Sequence, residues 1–536
     1  MKNSRTLILS IGLALAMTAG CGGADSTVQP VPDEINQVFA KPLYRNATWS
    51  LRVVDRDTGE PIYDMNSDKP MLVGSVRKLF SVGLALETLG PAHVFRTTVP
   101  RQGAVAGGVL AGNLILVASG DLAMGGRTNA DGTFAISRFD HNEANSLGNA
   151  ELTATNPLAG FDALAAQVAA SGITRVAGEV VIDDRLFEPF SFQGEYDVRP
   201  IFVNDNVVDA IITNPGGVPT VDWLPKSAAF SVTGNVTPGQ AGSALDLTLD
   251  PISPTCIGTS PCVGTVSGVL PADLVPTLTG QYPLIRAFRI TQPSNYARTV
   301  FIEALVRAGV AVDAVPVASN PVQTLPARGS YVDSTLVAEL ISHPYKDYAK
   351  HVLKVSYNLG ADVSLMLFGL AKGTRSFDVA KATELTTLAN EFGISAAHIN
   401  FPDGGGGGQT RATAVAVTKF LLGMTQRSTF SHFIDSQPSL GVDGSLSFVT
   451  NFEADPTLAG AKGQVQAKTG TYVTVDENGP NLAAQALAGY ITSKSGRRLA
   501  YSLAVNNVGT VPGGIDDVIK AFQDEGTISA IIWKSL

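Results

Sequence analysis

Ser75-Val76-Arg77-Lys78 places a hydroxyl and an amine at i and i+3, neighbours on one face of a helix. The residues that follow are largely apolar through Leu89, so the amine is read as partly desolvated. Desolvation disfavours the ammonium form and leaves a base that can take the proton of the adjacent hydroxyl. Ser75 at the helix start also meets free N–H groups and the positive end of the dipole, which favour developing negative charge. A Ser-x-x-Lys pattern arises by chance about once or twice in a chain of this length. An N-cap serine beside an extended lysine is the plain structural alternative.

Two further groups carry chemistry. Ser356-Tyr357-Asn358 stands early in an amphipathic helix expected over Tyr348–Leu370. Alone it would be two polar residues on a solvated face. Lys468-Thr469-Gly470-Thr471 ends a strand expected over 463–470. Lysine and threonine offer a cation and a hydroxyl to an anion, and the glycine lets another group approach the strand closely. Lys494-Ser495-Gly496 has a similar look but is read only as a hairpin turn.

These groups need elements to hold them. A hairpin is expected from Trp49–Val54 through Asp57-Thr58-Gly59 to Pro61–Met65, followed by a buried helix from Gly74 to Leu89. From about 96 to 325 the texture becomes short β-like runs separated by Gly, Pro and Asn, with one helix near 159–170. Within it the polar stretch 125–156 reads as a surface insertion. Helices return after 326, and the chain ends with the turn at 493–496 and a helix near 515–523.

With 16% charged residues, 45% hydrophobic residues and 536 positions, the chain can bury two to four domains. A net charge of −9 argues against a nucleic-acid binder. Three cysteines and six histidines, without an HExxH pair, point to no metal site and no cofactor. Lys2 and Arg5 precede the apolar run Thr6–Met17, the layout of a secretory signal. Thr18-Ala19-Gly20-Cys21 then resembles a lipoprotein cleavage site, which predicts a signal over 1–20, lipidation of Cys21 and a tether over 21–35. The only membrane association expected is through that lipid. In an oxidising periplasm, Cys256 and Cys262 bracket a loop that reads as a small disulfide.

Order and spacing combine the three groups. A serine–lysine pair early, a Ser-x-Asn far downstream and Lys-Thr-Gly on a late strand form the signature set of penicillin-recognising serine enzymes. Further segments match: Asp57–Glu60, Ala85–Pro91, Phe95–Thr97, Ser119–Asp121, Gly178–Asp184, Gly441–Leu446 and Leu487–Ile491. Over most of 40–510 the chain resembles the D-alanyl-D-alanine carboxypeptidase/endopeptidase family of low-molecular-mass penicillin-binding proteins. The resemblance implies an α+β multidomain fold. A split transpeptidase/serine β-lactamase-like domain, an antiparallel sheet flanked by helices, would span 36–95 and 326–536, with two smaller β-rich domains inserted at 96–325. It implies Ser75 as nucleophile, Lys78 as base, Ser356 as proton relay and Asn358 as the group holding the substrate amide. Lys468 and Thr469 would bind the terminal carboxylate, with Gly470 and Thr471 completing the substrate-binding strand, and backbone N–H groups of Ser75 and Thr471 would form the oxyanion hole. The implied partners are peptidoglycan peptides and β-lactams. Val73-Gly74 replace the family's Pro-Ala, and Asp403 is followed by five glycines in place of Asp-Gly-Ser-Gly-Leu-Ser. Polyglycine is costly to order, so that edge of the site is expected to be mobile. Two alternatives stay open: a serine β-lactamase or esterase, and a catalytically silent peptidoglycan-binding lipoprotein. The large insertion and the want of an obvious deacylating glutamate count against the first, and the intact Ser75, Lys78, Asn358 and Lys468 against the second.

Overall fold

The computed structural model describes residues 28–536 apart from Thr277 and Asn478; the expected signal and Cys21 lie outside the described residues. A five-stranded antiparallel sheet is built from both ends of the chain. Strands β1 (Thr48–Asp55) and β2 (Pro61–Met65) form the early hairpin, with Leu51 opposite Met65. Strands β3 (Val465–Asp476), β4 (Gly479–Thr492) and β5 (Arg498–Thr510) come from the end. The order β2-β1-β5-β4-β3 leaves β3 on the edge, where Lys468–Thr471 lie.

Period-2 alternation sorts side chains between two layers. On β4, Leu487 and Ile491 join one core, while Ala486, Ala488 and Tyr490 join the other. The first core is closed by helices Asp33–Phe39 and Ile515–Ser535. The second lies under a helical layer containing α1 (Lys78–Leu89), α2 (Tyr345–Val355), α3 (Asn358–Ala371) and α4 (Phe377–Phe392). Alanines facing that layer leave room for helices to sit close to the sheet.

Three elements differ from expectation. The helix expected from Gly74 begins as a 3₁₀ turn, Gly74–Arg77, before α1. The helix expected over Tyr348–Leu370 is broken into α2 and α3 at Ser356, whose left-handed backbone (φ 64°, ψ 36°) cannot continue an α-helix. The final helix runs on to Ser535, because its C-terminal half buries Ile528, Ile531 and Ile532 against the sheet.

Residues between Val99 and Ala338 form a separate core around a six-stranded sheet and two three-stranded sheets, while Phe187, Phe190 and Phe202 from the same stretch pack into the helical core. Leu336–Pro344, beyond residue 325, pairs with Val94–Ala106 in the larger sheet. Besides Ala159–Ala170, a second helix that the β-like texture hid, Pro293–Arg307, packs there. The structure joins Cys256 to Cys262 (S–S 2.05 Å). The stretch 125–156 is not a purely solvated insertion: Arg127, Asp140, His141, Asn142 and Asn149 are buried. Its polarity is satisfied internally. His141 Nδ1 lies 2.9 Å from Asp209 and its Nε2 3.0 Å from Asp205, while Arg127 Nη2 lies 2.9 Å from Asp140. Ligand atoms of Asp140, His141 and Asp205 come within 4.8 Å of one another, but the Arg127 guanidinium already supplies their cation. No described helix is long and apolar enough to cross a membrane.

Candidate active site

The 3₁₀ turn presents Ser75 as the one partly exposed residue between Met71 and Phe80. One turn on, Lys78 is fully buried. Its ammonium donates to Ser75 Oγ at 2.6 Å, to Asn358 Oδ1 at 2.5 Å and to the Gly405 carbonyl at 2.6 Å. Burial pushes the Lys78 pKa down to about 8, with Glu143, Asp403 and Asp362 pulling it back up. At neutral pH a useful fraction is then the neutral base.

The break between α2 and α3 turns Ser356 and Asn358 into the same cleft. Across it, Lys468 Nζ lies 2.9 Å from Ser356 Oγ and 2.8 Å from the Thr469 carbonyl. Its burial, reinforced by repulsion from Lys78, holds this amine well below the usual lysine range. An incoming carboxylate would relieve that destabilisation. Thr469 Oγ1 meets Ser445 Oγ at 2.8 Å, and Thr471 donates to Gln485 at 2.9 Å. A methyl on Gly470 would stand 2.0 Å from the Val73 carbonyl and 3.1 Å from the Ser75 nitrogen. That close approach brings β3 against the Ser75 turn. All eight residues expected at the site from Ser75 to Thr471 thus lie around one cleft.

The glycine run is tied down rather than loose. The Gly404 N–H donates to Asp362 (2.7 Å), and the Gly406 and Gly407 N–H groups donate to Asp403 (2.7 and 3.0 Å). Ser81 and Lys78 donate to the Gly404 and Gly405 carbonyls. A methyl on Gly406 would come within 2.2 Å of the Gly74 carbonyl. The expectation of a mobile edge missed these partners: Asp362, Ser81 and Lys78 lie far away in sequence, and Asp403 folds back on the run it precedes. Arg77 fastens the same loop: buried, it pairs bidentately with Glu384 (2.8 and 2.5 Å) and donates to the Asp403 carbonyl. Asp362, behind Lys78, is pushed up to about 7 by burial and by Asp403.

A glutamate that no motif announces stands beside Asn358. Glu143 accepts from Asn358 Nδ2 at 2.7 Å, and burial raises its pKa. It comes from the stretch read as a surface insertion. Ser75, Ser356, Asn358 and Glu143 line a cavity of about 220 Å³ whose far wall is apolar, with Phe139, Phe448 and Phe522 in a row (6.1 and 5.3 Å between ring centres). Ser445 carried a signal within the Gly441–Leu446 segment; Glu143 and Phe139 carried none.

A serine with a buried lysine one turn away, a Ser-x-Asn turn and a Lys-Thr-Gly edge strand define the class of serine acyl-transfer enzymes built on the transpeptidase fold. The model of the D-Ala-D-Ala carboxypeptidase 3 (S13) family matches residues 31–524, and the chain belongs to that family. It is a serine-type carboxypeptidase, a hydrolase. Among curated proteins, the D-alanyl-D-alanine carboxypeptidase of Actinomadura sp. (strain R39) is 24% identical over 96% of this chain and 88% of that protein. Among solved structures, penicillin binding protein 4 of Haemophilus influenzae superposes with TM-score 0.67 at 19% identity, covering 93% of this chain and 99% of that one. The same protein complexed with a β-lactam gives TM-score 0.66 at 20% identity over 94% and 99%.

Proposed function

We propose that the chain hydrolyses the terminal D-alanyl-D-alanine bond of peptidoglycan stem peptides, and also cross-link peptides, through an acyl-enzyme that β-lactams form as well. The observation that carries this is the Lys78 amine, buried, shifted to about 8 and 2.6 Å from Ser75 Oγ.

In this reading Ser75 Oγ attacks the carbonyl between the two D-alanines as neutral Lys78 takes its proton. The oxyanion is met by the backbone N–H groups of Ser75 and Thr471. Ser356, hydrogen-bonded to Lys468, relays the proton that Lys78 took from Ser75 on to the leaving amine, which returns Lys78 to its neutral form. Asn358 holds the acyl-side amide, and Lys468 with Thr469 binds the terminal carboxylate, with Gly470 allowing the approach. Water then releases the acid and regenerates Ser75. The three cores support a division into a catalytic unit formed by the two chain ends and inserted β-rich units between them. The N-terminal pattern supports export to the periplasm, with Cys21 as a lipidated anchor; loss of fatty-acid incorporation in Cys21→Ser would test it.

The decisive experiment is labelling with a fluorescent penicillin together with D-alanine release from a pentapeptide. Both are expected in the native chain and absent in Ser75→Ala. Label without peptide hydrolysis would favour a pure β-lactam target, and neither would remove the reading.

A further inference from the structure

Acylation has its base in Lys78, but hydrolysis of the acyl-enzyme needs a base for water. Once Ser75 is acylated, its oxygen is an ester oxygen and no longer available to hand a proton to Lys78. The second base must stand in the same cavity, within one water of the ester carbon. Glu143 stands in that cavity, beside Asn358. Its Oε1 is 2.7 Å from Asn358 Nδ2, while Asn358 Oδ1 is 2.5 Å from Lys78 Nζ, so a single amide links the two bases. Glu143 and Ser75 line the same cavity.

The carboxylate is available. Among the described residues it forms no ion pair within 4.0 Å: nearby Arg289 is engaged with Glu195 at 3.3 Å and donates to the Asn142 carbonyl. Burial, with a smaller push from Asp140, outweighs the pull of Arg289, Lys78 and the Asn358 hydrogen bond and makes it more basic than a free glutamate. It is also held firmly. Glu143 ends the 3₁₀ turn His141–Glu143, capped by Asp140 and pinned by His141 between Asp205 and Asp209. Such support is what a positioned base requires.

We infer that Glu143 is a catalytic residue, the general base that activates the water hydrolysing the acyl-enzyme. This rests on the acyl-enzyme reading above. The water oxygen bonds to the ester carbon as one of its protons passes to Glu143. The tetrahedral adduct collapses, the carbon–Oγ bond breaks, and the proton returns to Ser75 Oγ by way of Lys78. One water is consumed, and a free acid and the Ser75 hydroxyl result.

The test is Glu143→Gln, with Glu143→Asp beside it, assayed on a D-Ala-D-Ala peptide and a fluorescent penicillin. For Glu143→Gln we expect kcat and KM to fall together by about 100-fold, with kcat/KM within threefold of native, because acylation is spared. The acyl-enzyme should accumulate, decay about 100-fold more slowly, and be released by hydroxylamine, which needs no base. Glu143→Asp should decay at an intermediate rate. Unchanged decay, or a loss of kcat/KM equal to that of kcat, would overturn the role, since either outcome leaves deacylation without a specific need for the carboxylate. A matching unfolding midpoint separates this from misfolding, and hydroxylamine release reports an intact site even where the midpoint moves. If the native chain itself takes no label and releases no D-alanine, the acyl-enzyme reading fails, and this inference with it.

Discussion

The two walls of the cleft are built in opposite ways. One carries Ser75, Lys78, Ser356, Asn358 and Lys468 in three short motifs, each placed by a local backbone event: a 3₁₀ turn, a left-handed residue and an edge strand. The other carries Phe139 and Glu143 on a stretch without regular periodicity, held by an ionic cluster that gathers Arg127, Asp140, His141, Asp205 and Asp209. In the proposed reading the first wall supplies acylation chemistry, which tolerates little variation in atom type. The second, on the inference above, bears on what enters the cleft and what becomes of the intermediate. Burial opposes a charged imidazole in that cluster, yet Asp209, Asp140 and Asp205 push the His141 pKa up to about 10. The cluster's contribution from His141 is therefore complete below about pH 6.5 and lost as pH rises through about 10.

The contrast can be broken from the motif side first. Lys78→Ala should lower the rate of penicillin acylation by about 1,000-fold or more, measured by stopped-flow, while the fold is retained. Retained acylation would move the base elsewhere. Next in size is pH. Lys78 must be neutral to act, and its pKa is depressed to about 8, so acylation should rise with pH through about 8. At pH 6 it should stand about 100-fold below its plateau. A profile flat between pH 6 and 9 would contradict this.

On the insertion side, Asp205→Asn leaves Arg127 and His141 without their shared carboxylate. We expect a loss of about 3–5 kcal/mol by denaturant unfolding, with acylation of the surviving folded protein reduced far less than in Lys78→Ala. If the two losses were equal, the walls would not be separable. The smallest effect should come from Phe448→Ala, which trims the apolar row. It should slow acylation by β-lactams with an aryl side chain by about tenfold and leave those with small side chains nearly unchanged. Equal slowing of both would deny that wall a role in selection.

Much of the motif wall was legible because its spacing is local. Ser75 and Lys78 share one turn, and Lys468–Thr471 are consecutive on one strand. Even there, the reading of 348–370 as one helix missed the break that turns Ser356 into the cleft. Nothing in a polar residue's type reveals a left-handed backbone. The five glycines illustrate the opposite error. Read alone they imply entropy, but Asp362 and Ser81, from other elements, and the adjoining Asp403 bind their backbone, and a side chain at Gly406 would strike the Ser75 turn. The polar stretch 125–156 read as solvated because its partners at 205 and 209 lie more than sixty residues away.

By itself, then, the sequence determined the three motifs that meet at the cleft, the family and the early and late origin of the sheet, since these rest on residue types at short spacing. Tertiary structure alone decided that Glu143 stands by Asn358, that the glycine loop is clasped and that an apolar row faces the nucleophile. The physical reason is that burial and long-range pairing set the pKa, the rigidity and the neighbours of a group, and none of these is a property of the residues beside it in the chain.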